Sequence, residues 1–412
     1  MMDFSESVIL AEGIGIMTVR RIILRGSNRM IGKKLAEVAI SRHGFDQRTA
    51  AATAPSVNRQ IRCYLAENCP ILAERSRGVA DALGLEPEDD RFDSTGISYN
   101  QYSTIAPGCS SVYYPPTITG ETHGILSRNF DFPLTTLPEM MGMELLEEER
   151  KLLKPMMADP YIVEMYPEDG GYASVALVSF DLLSGVLDGI NSEGLVVAVH
   201  GNEITRDQSA PQPEGIGLHE LQSMRLLLDT CATAEEAKTV LFANRHFYVM
   251  LPCIYLVADC KGNSLVFEPG HDGGEHRITE FKGKPCILTN HPLSMYPSLD
   301  SFPPKRSFLE AGTSSFERFE KLSGLHEKKV GYTLDDMKRI NGEVAVSNIV
   351  SRIPARDRAK LVQSRGLART LWHAIYDTQA CSLDIKFFTG DDKTDDGGFK
   401  ENYTNYIRLE LE

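Results

Sequence analysis

Two short runs of strand-forming residues, Val112–Tyr114 and Gly124–Phe130, flank a stretch of turn formers, Pro115–Glu121. Together they constrain the fold more than any other feature. A hairpin centred near Ile118–Gly120 sets Cys109 across from position 129, with Arg128 and Asp131 beside it. Further short strands are expected at Thr18–Leu24, Tyr172–Phe180, Leu195–His200, Ile254–Asp259, Ser264–Glu268, Cys286–Thr289 and Leu371–Tyr376. Helices are expected at Arg29–Ile40, through much of 47–84, and at Leu218–Cys231. Thr233 and Thr333, each followed three residues later by an acidic residue, read as caps of two more. Strand clusters separated by helix pairs predict an α+β chain of layered sheets covered by helices, not a βαβ alternation.

Composition removes several classes. The net charge of −14 supplies no basic footprint for a phosphate backbone. The longest strongly apolar, charge-free run, Phe247–Ala258, has 12 residues and contains Pro252, against roughly 20 for a membrane-spanning helix. Asp3 and Glu6 stand where a secretory leader carries basic residues. The eight cysteines form no CxxC and no disulfide framework. A cytoplasmic chain with no nucleic-acid or membrane partner is expected.

Familiar cofactor and catalytic motifs are missing. Gly13-Ile14-Gly15 has no third glycine, there is no Walker A loop, and His219-Glu220 lacks the second histidine of a zinc-protease helix. Gly108-Cys109-Ser110-Ser111-Val112 lacks the closing glycine of a nucleophile elbow. His271 and His276 have no cysteine or carboxylate partners at ligand spacing, so no metal is expected.

The chemistry concentrates in residues 106–133. A guanidinium beside a thiol favours thiolate, so Arg128 would lower the pKa of Cys109. Cleavage between Gly108 and Cys109 would expose an α-amino group of pKa about 7.7–8.0 beside that thiol, a built-in general base. Gly108 leaves the scissile carbonyl open, and a nearby carboxylate, Asp131, would hold the new ammonium.

Six segments in order resemble one family. They are Leu24-Arg25-Gly26-Ser27 with Ile31-Gly32, then Gly108-Cys109-Ser110-Ser111, and Ser127-Arg128-Asn129-Phe130-Asp131-Phe132. Asp188–Leu195 with Val199–Glu203, Thr289-Asn290-His291 and Ser315–Phe319 follow. The chain is similar to N-terminal-nucleophile (Ntn) cysteine hydrolases of the isopenicillin-N acyltransferase-like family, related to bile salt hydrolases and penicillin V acylases. The resemblance implies a four-layer αββα sandwich cut at Gly108–Cys109. Residues 1–108 and 109–412 would then be two chains of one fold. It also implies Cys109 as nucleophile and base, Arg128 beside the thiolate, and Asp131 on the α-amino group. Asn290 would be an oxyanion donor, with Asn202 or its neighbours His200 and Gly201 as the second, and Arg318 would orient the Arg128–Asp131 cluster. Bile salt hydrolases carry the nucleophile directly after the initiator methionine. Here 108 residues precede it, which favours the acyltransferase-like branch.

The expected activity is cleavage or transfer of the acyl group of a small linear amide through a Cys109 thioester. No cofactor is expected, with acyl-coenzyme A a conceivable acyl donor; the partners are a small-molecule amide or acyl donor, and a homo-oligomer is compatible with the sequence. The alternative is an uncut, silent small-molecule binding member of the same fold. A thiol redox enzyme is disfavoured because no resolving cysteine lies near Cys109. Residues 134–158 read as an insertion, with Met140–Met157 a Met-rich helix. As a lid it would place Met140, Met141 and Met143 against the substrate.

Overall fold

The computed structural model describes residues 2–10, 17–50, 54–99, 108–120, 123–134, 136–140, 143–146, 148–149, 153–204, 215–249, 252–270, 275–304, 313–326, 331–346, 368–393 and 399–411. Among them sixteen strands form two sheets. The first holds β1 (Asp3–Leu10), β2 (Val19–Gly26), β5 (Tyr161–Pro167), β6 (Ser174–Val178), β7 (Val186–Asn191), β8 (Val196–Gly201), β9 (Cys253–Ala258), β10 (Asn263–Glu268) and β11 (Arg277–Lys282), in that spatial order. The second runs β12 (Cys286–Leu288), β3 (Gly108–Tyr114), β4 (Ile125–Pro133), β13 (Ala368–Asp377), β14 (Ser382–Lys393) and β15 (Phe399–Tyr403), with β16 (Ile407–Glu410) also on β14. Only the β2–β5 pair is parallel among these. It joins the segment before Cys109 to the segment after it, so both belong to one sheet.

Helices cover both outer faces. On the first sheet lie α1 (Asn28–His43), packed on β2, then α2 (Pro55–Asn68) and α3 (Pro70–Leu83), and α4 (Glu220–Thr230) with α5 (Ala234–Ala243) over β7–β10. On the second lie α6 (Thr313–His326), against β12 and β3, and α7 (Leu334–Glu343), against β4. Between the sheets β3 touches β8. The order is helix, sheet, sheet, helix: the four-layer αββα sandwich.

The sequence pattern explains the layering. β7, β8 and β9 are buried on both faces, and β8 and β9 accordingly read as nearly continuous apolar runs. The inner core includes Phe130 stacked on Trp372 at 4.0 Å. The outer face of the second sheet puts Val112, Tyr114 and Ile125 under Leu322, Met337 and Ile340 of the helices. α1 and α3 meet at glycines. A Cβ at Gly32 would stand 1.9 Å from the Arg75 carbonyl oxygen, and one at Gly78 1.9 Å from that of Arg29.

One local expectation fails. Met140–Met157 is not one helix: a single turn covers Leu137–Met140, and residues 143–146 are irregular. Pro138 and Pro155 bracket the stretch, and among its described residues Met143 and Leu146 are exposed, so they give a helix there no buried support. β14 runs on through Asp391 and Asp392, with Arg369 on β13 holding Asp391 at 2.9 Å. Cys63 is exposed, and Cys260 and Cys381 are half-buried. Among the described residues no helix is long and apolar enough to cross a membrane.

Candidate active site

The β3–β4 hairpin pairs Gly108 with Asp131, Cys109 with Phe130 and Ser111 with Arg128. The expected register is therefore off by one, because a short helix, Pro116–Thr119, closes the hairpin. One residue matters, since directly paired residues share a face and neighbours do not. Cys109, Ser111, Arg128 and Phe130 face the other sheet, while Gly108, Ser110, Asn129 and Asp131 face the helices. Arg128 and Asp131 thus leave β4 on opposite sides and do not form one cluster.

On the inner face an Arg128 N–H lies 3.4 Å from Cys109 Sγ. The guanidinium also donates to the carbonyl oxygens of Leu187 and Val199, each at 2.7 Å, and forms an ion pair of 3.0 Å with Asp188. Asp188 in turn accepts from Tyr376 and from the Trp372 indole. Burial opposes charge on Arg128, but Asp188 and the cysteine outweigh it and raise its pKa. Beside this cluster Ser111 Oγ lies 2.9 Å from His200 Nε2.

Asn290 stands at the edge of β3, just past β12. Its Oδ1 accepts the Cys109 backbone N–H at 2.8 Å and an Arg318 N–H at 2.7 Å. Two donors on Oδ1 fix the amide orientation and aim Nδ2 at the Gly201 carbonyl, 2.8 Å away. The Asn290 N–H is itself held by Ser315 Oγ at 2.7 Å. Arg318 additionally donates to the Cys109 carbonyl and to Ser110 Oγ. It therefore braces the nucleophile strand and Asn290, not the expected Arg128–Asp131 pair.

Asp131 sits against Gly108. A Cβ on Gly108 would come within 2.9 Å of the Asp131 Cβ, so glycine is the residue that fits. Asp131 Oδ1 accepts from Thr370 at 2.6 Å, while its buried Oδ2 has no hydrogen-bond partner among the described residues. Burial drives this carboxyl up to about 7, against the opposing pull of Arg318. Burial also pushes the Cys109 thiol up to about 11. The sequence argument sent that pKa down; Arg128 does pull it down, but desolvation of a fully buried sulfur is the larger effect. In the uncut chain Cys109 is a neutral thiol.

Asn202 lies just beyond β8. Its N–H goes to the Pro252 carbonyl and its Oδ1 accepts from Ile204, and neither bond reaches Cys109. Of the three candidate lid methionines, Met143 is exposed, and Met141 and the Met140 side chain lie outside the described residues. Met156 and Met157 are buried instead. Asp188 and Ser315 were legible only as members of the family-like segments, with no role attached; Thr370 carried no signal beyond being a hydroxyl on a neighbouring strand.

The family model described as acyl-coenzyme A:6-aminopenicillanic acid acyl-transferase matches residues 118–387, well over half of the chain. The chain belongs to that family. The match begins beyond Cys109 and takes in Arg128, Asp131, Asn202, Asn290 and Arg318. Membership places the chain among the acyl-transferases that the family description names. No curated protein sequence matches it significantly. Among solved structures it is similar to penicillin V acylase from Agrobacterium tumefaciens, at 18% identity and a TM-score of 0.41, over 68% of this chain and 82% of that one. A mutant conjugated bile acid hydrolase from Clostridium perfringens aligns at 14% identity and a TM-score of 0.43, over 72% and 92%.

Proposed function

We propose that the chain is a self-processing cysteine amidohydrolase or acyltransferase in which Cys109 first cuts its own chain and then carries the substrate acyl group. The observation that supports this most is the double engagement of one residue. Cys109 offers its sulfur to Arg128 and its backbone N–H to Asn290, while the residue before it is a glycine pressed on Asp131.

In processing, the Cys109 sulfur attacks the Gly108 carbonyl carbon. The Gly108–Cys109 C–N bond breaks as the thioester forms, and the nitrogen takes a proton. Water then cleaves the thioester, leaving a Gly108 carboxylate, a free thiol and a new α-amino group. Asp131, a carboxyl able to hold a proton near neutral pH, faces Gly108 and suits both proton delivery and, afterwards, the ammonium.

In turnover the amine takes the thiol proton, the sulfur attacks the substrate carbonyl, and the leaving amine receives that proton. The Asn290 amide is the best-placed oxyanion donor, with Asn202 or its neighbours as the second. Water as acceptor gives an amidase, an amine a transferase.

Intact mass decides the processing step. The wild-type chain should yield species 1–108 and 109–412, and Cys109→Ala a single chain. Incubation with an N-acyl substrate should then add one acyl mass to the 109–412 species. Persistent full-length wild-type protein would favour the silent binding member, whose support is the buried thiol of the uncut chain.

A further inference from the structure

We propose that Phe180 forms the end wall of the acyl pocket and limits the length of an unbranched apolar acyl group. The inference rests on the reaction proposed above. It starts from a conformation: Phe180 has φ of 72°, a left-handed backbone that a bulky side chain avoids. Such strain persists only where neighbouring contacts over-determine it.

They do so here. The next residue, Asp181, is buried, and its carboxylate accepts the N–H groups of Ile97 and Leu183, each at 2.8 Å, and the Ser184 hydroxyl at 2.9 Å. Its carbonyl accepts from Gly185 at 2.7 Å, and the Phe180 carbonyl accepts the Tyr99 N–H at 2.9 Å. The turn is fixed from three directions, so the Phe180 ring is a rigid object.

That ring ends a row leading from the nucleophile. Phe130 lies across from Cys109 on the same face, with the Arg128 guanidinium 5.6 Å from its ring centre. Phe132 follows at 6.1 Å with its ring parallel, and Phe180 at 6.3 Å from Phe132. Met157 stands beside the turn, its sulfur accepting the Ser179 hydroxyl at 3.4 Å. Two other directions from the sulfur are taken among the described residues. Arg128 and the Val199 carbonyl hold one side, and the Ser111–His200 pair closes the way deeper between the sheets. An acyl group on Cys109 therefore runs over Phe130 and Phe132, and stops at Phe180. The row carries no charged side chain, which selects apolar acyl groups. In the uncut chain it is closed, with Phe130, Phe132 and Phe180 all buried.

The test uses the processed protein and p-nitroanilides of straight-chain acids from about four to about fourteen carbons. Phe180→Ala should move the preferred chain several carbons longer. The ratio of kcat/KM for long over short substrates should rise at least about 10-fold, since each methylene newly taken up is worth about 4-fold. Phe180→Gly, which suits φ of 72°, serves where the alanine variant fails to fold. A chain-length profile unchanged in the folded variants overturns the inference while leaving the reaction intact. A wild-type protein that neither cuts itself nor forms an acyl-cysteine overturns the reaction, and this inference with it.

Discussion

The buried carboxyl of Asp131 yields a prediction that can be read without any substrate. In a Cys109→Ala background the chain stays uncut, and Asp131→Asn is compared with its parent by denaturant unfolding across pH. Burial raises the folded pKa of Asp131 from 3.8 to about 7. A raised pKa means the folded state holds a proton that the unfolded state has already released. The stabilisation is complete below the unfolded pKa and is lost as pH climbs through the folded one. At 1.36 kcal/mol per pKa unit the full swing is about 4 kcal/mol. Of this, about 2.5 kcal/mol falls between pH 5 and pH 8, where both proteins are convenient to handle.

The asparagine variant lacks that titration. It keeps an oxygen for the Thr370 hydroxyl but sets an amide where Oδ2 has no described partner, a pH-independent cost of about 1–3 kcal/mol. Every other buried group, Asp188 and His200 included, titrates in both proteins and cancels in the difference. The parent should therefore start more stable at pH 5, then lose ground steadily until the curves converge or cross near pH 8. Parallel curves over this range would show that Asp131 is ionised throughout. The proton-delivery role in processing would then fail with it.

Four further outcomes are expected. Asn290→Ala should lower acyl transfer by about 10²–10³-fold, measured as kcat on processed protein, if Asn290 is the oxyanion donor as proposed; an unchanged kcat would assign that role elsewhere. Gly108→Ala should slow self-cleavage, followed by electrophoresis over time, since its Cβ lands 2.9 Å from that of Asp131; wild-type rates would mean the strand yields freely. Asp188→Asn should destabilise the fold by about 3–5 kcal/mol in urea, because it leaves the Arg128 charge buried without its ion-pair partner. Gly78→Ala should cost about 3 kcal/mol or more and lower the melting temperature, as its Cβ would stand 1.9 Å from the Arg29 carbonyl oxygen; a loss under about 1 kcal/mol would show that α1 and α3 can part.

The elements most legible in the sequence were those with local causes. Thr333 caps α7 through Asp336 as the spacing suggests, and Asp259–Asn263 turns the β9–β10 hairpin. β1, β5, β7, β11 and β14–β16 were missed; β1 and β11 lie at a sheet edge, where alternation is weak and charged residues are welcome. The Met-rich stretch misled for the opposite reason, since its composition suits a helix but the described residues Met143 and Leu146 are exposed. At the site the residue types were legible and their wiring was not. Cys109, Arg128, Asn290 and Arg318 do meet, yet Arg318 serves the Cys109 carbonyl and Asn290, and the carboxylate paired with Arg128 is Asp188, with Asp131 on the other face of β4. Those assignments depend on a one-residue register set by a helical turn at Pro116–Thr119, which strand pattern alone does not fix.

That register also gives the site its logic. Because Cys109 and Gly108 lie on opposite faces of β3, the sulfur sits between the sheets with Arg128 while Gly108 is pressed against Asp131 on the helix side. Burial holds the thiol protonated as the chain stands. Under the processing proposed above, cleavage would open that thiol to outside acyl donors. It would also turn the Cys109 N–H into an amine, and the ammonium form would pull the Asp131 carboxyl, raised to about 7 mainly by burial, toward ionisation. Processing and activation would then be one electrostatic event read on two faces of a strand. The processed chain should therefore react with iodoacetamide at neutral pH far faster than uncut protein that retains Cys109. Equal alkylation rates in the two forms would show that cleavage leaves the thiol as buried and as neutral as before.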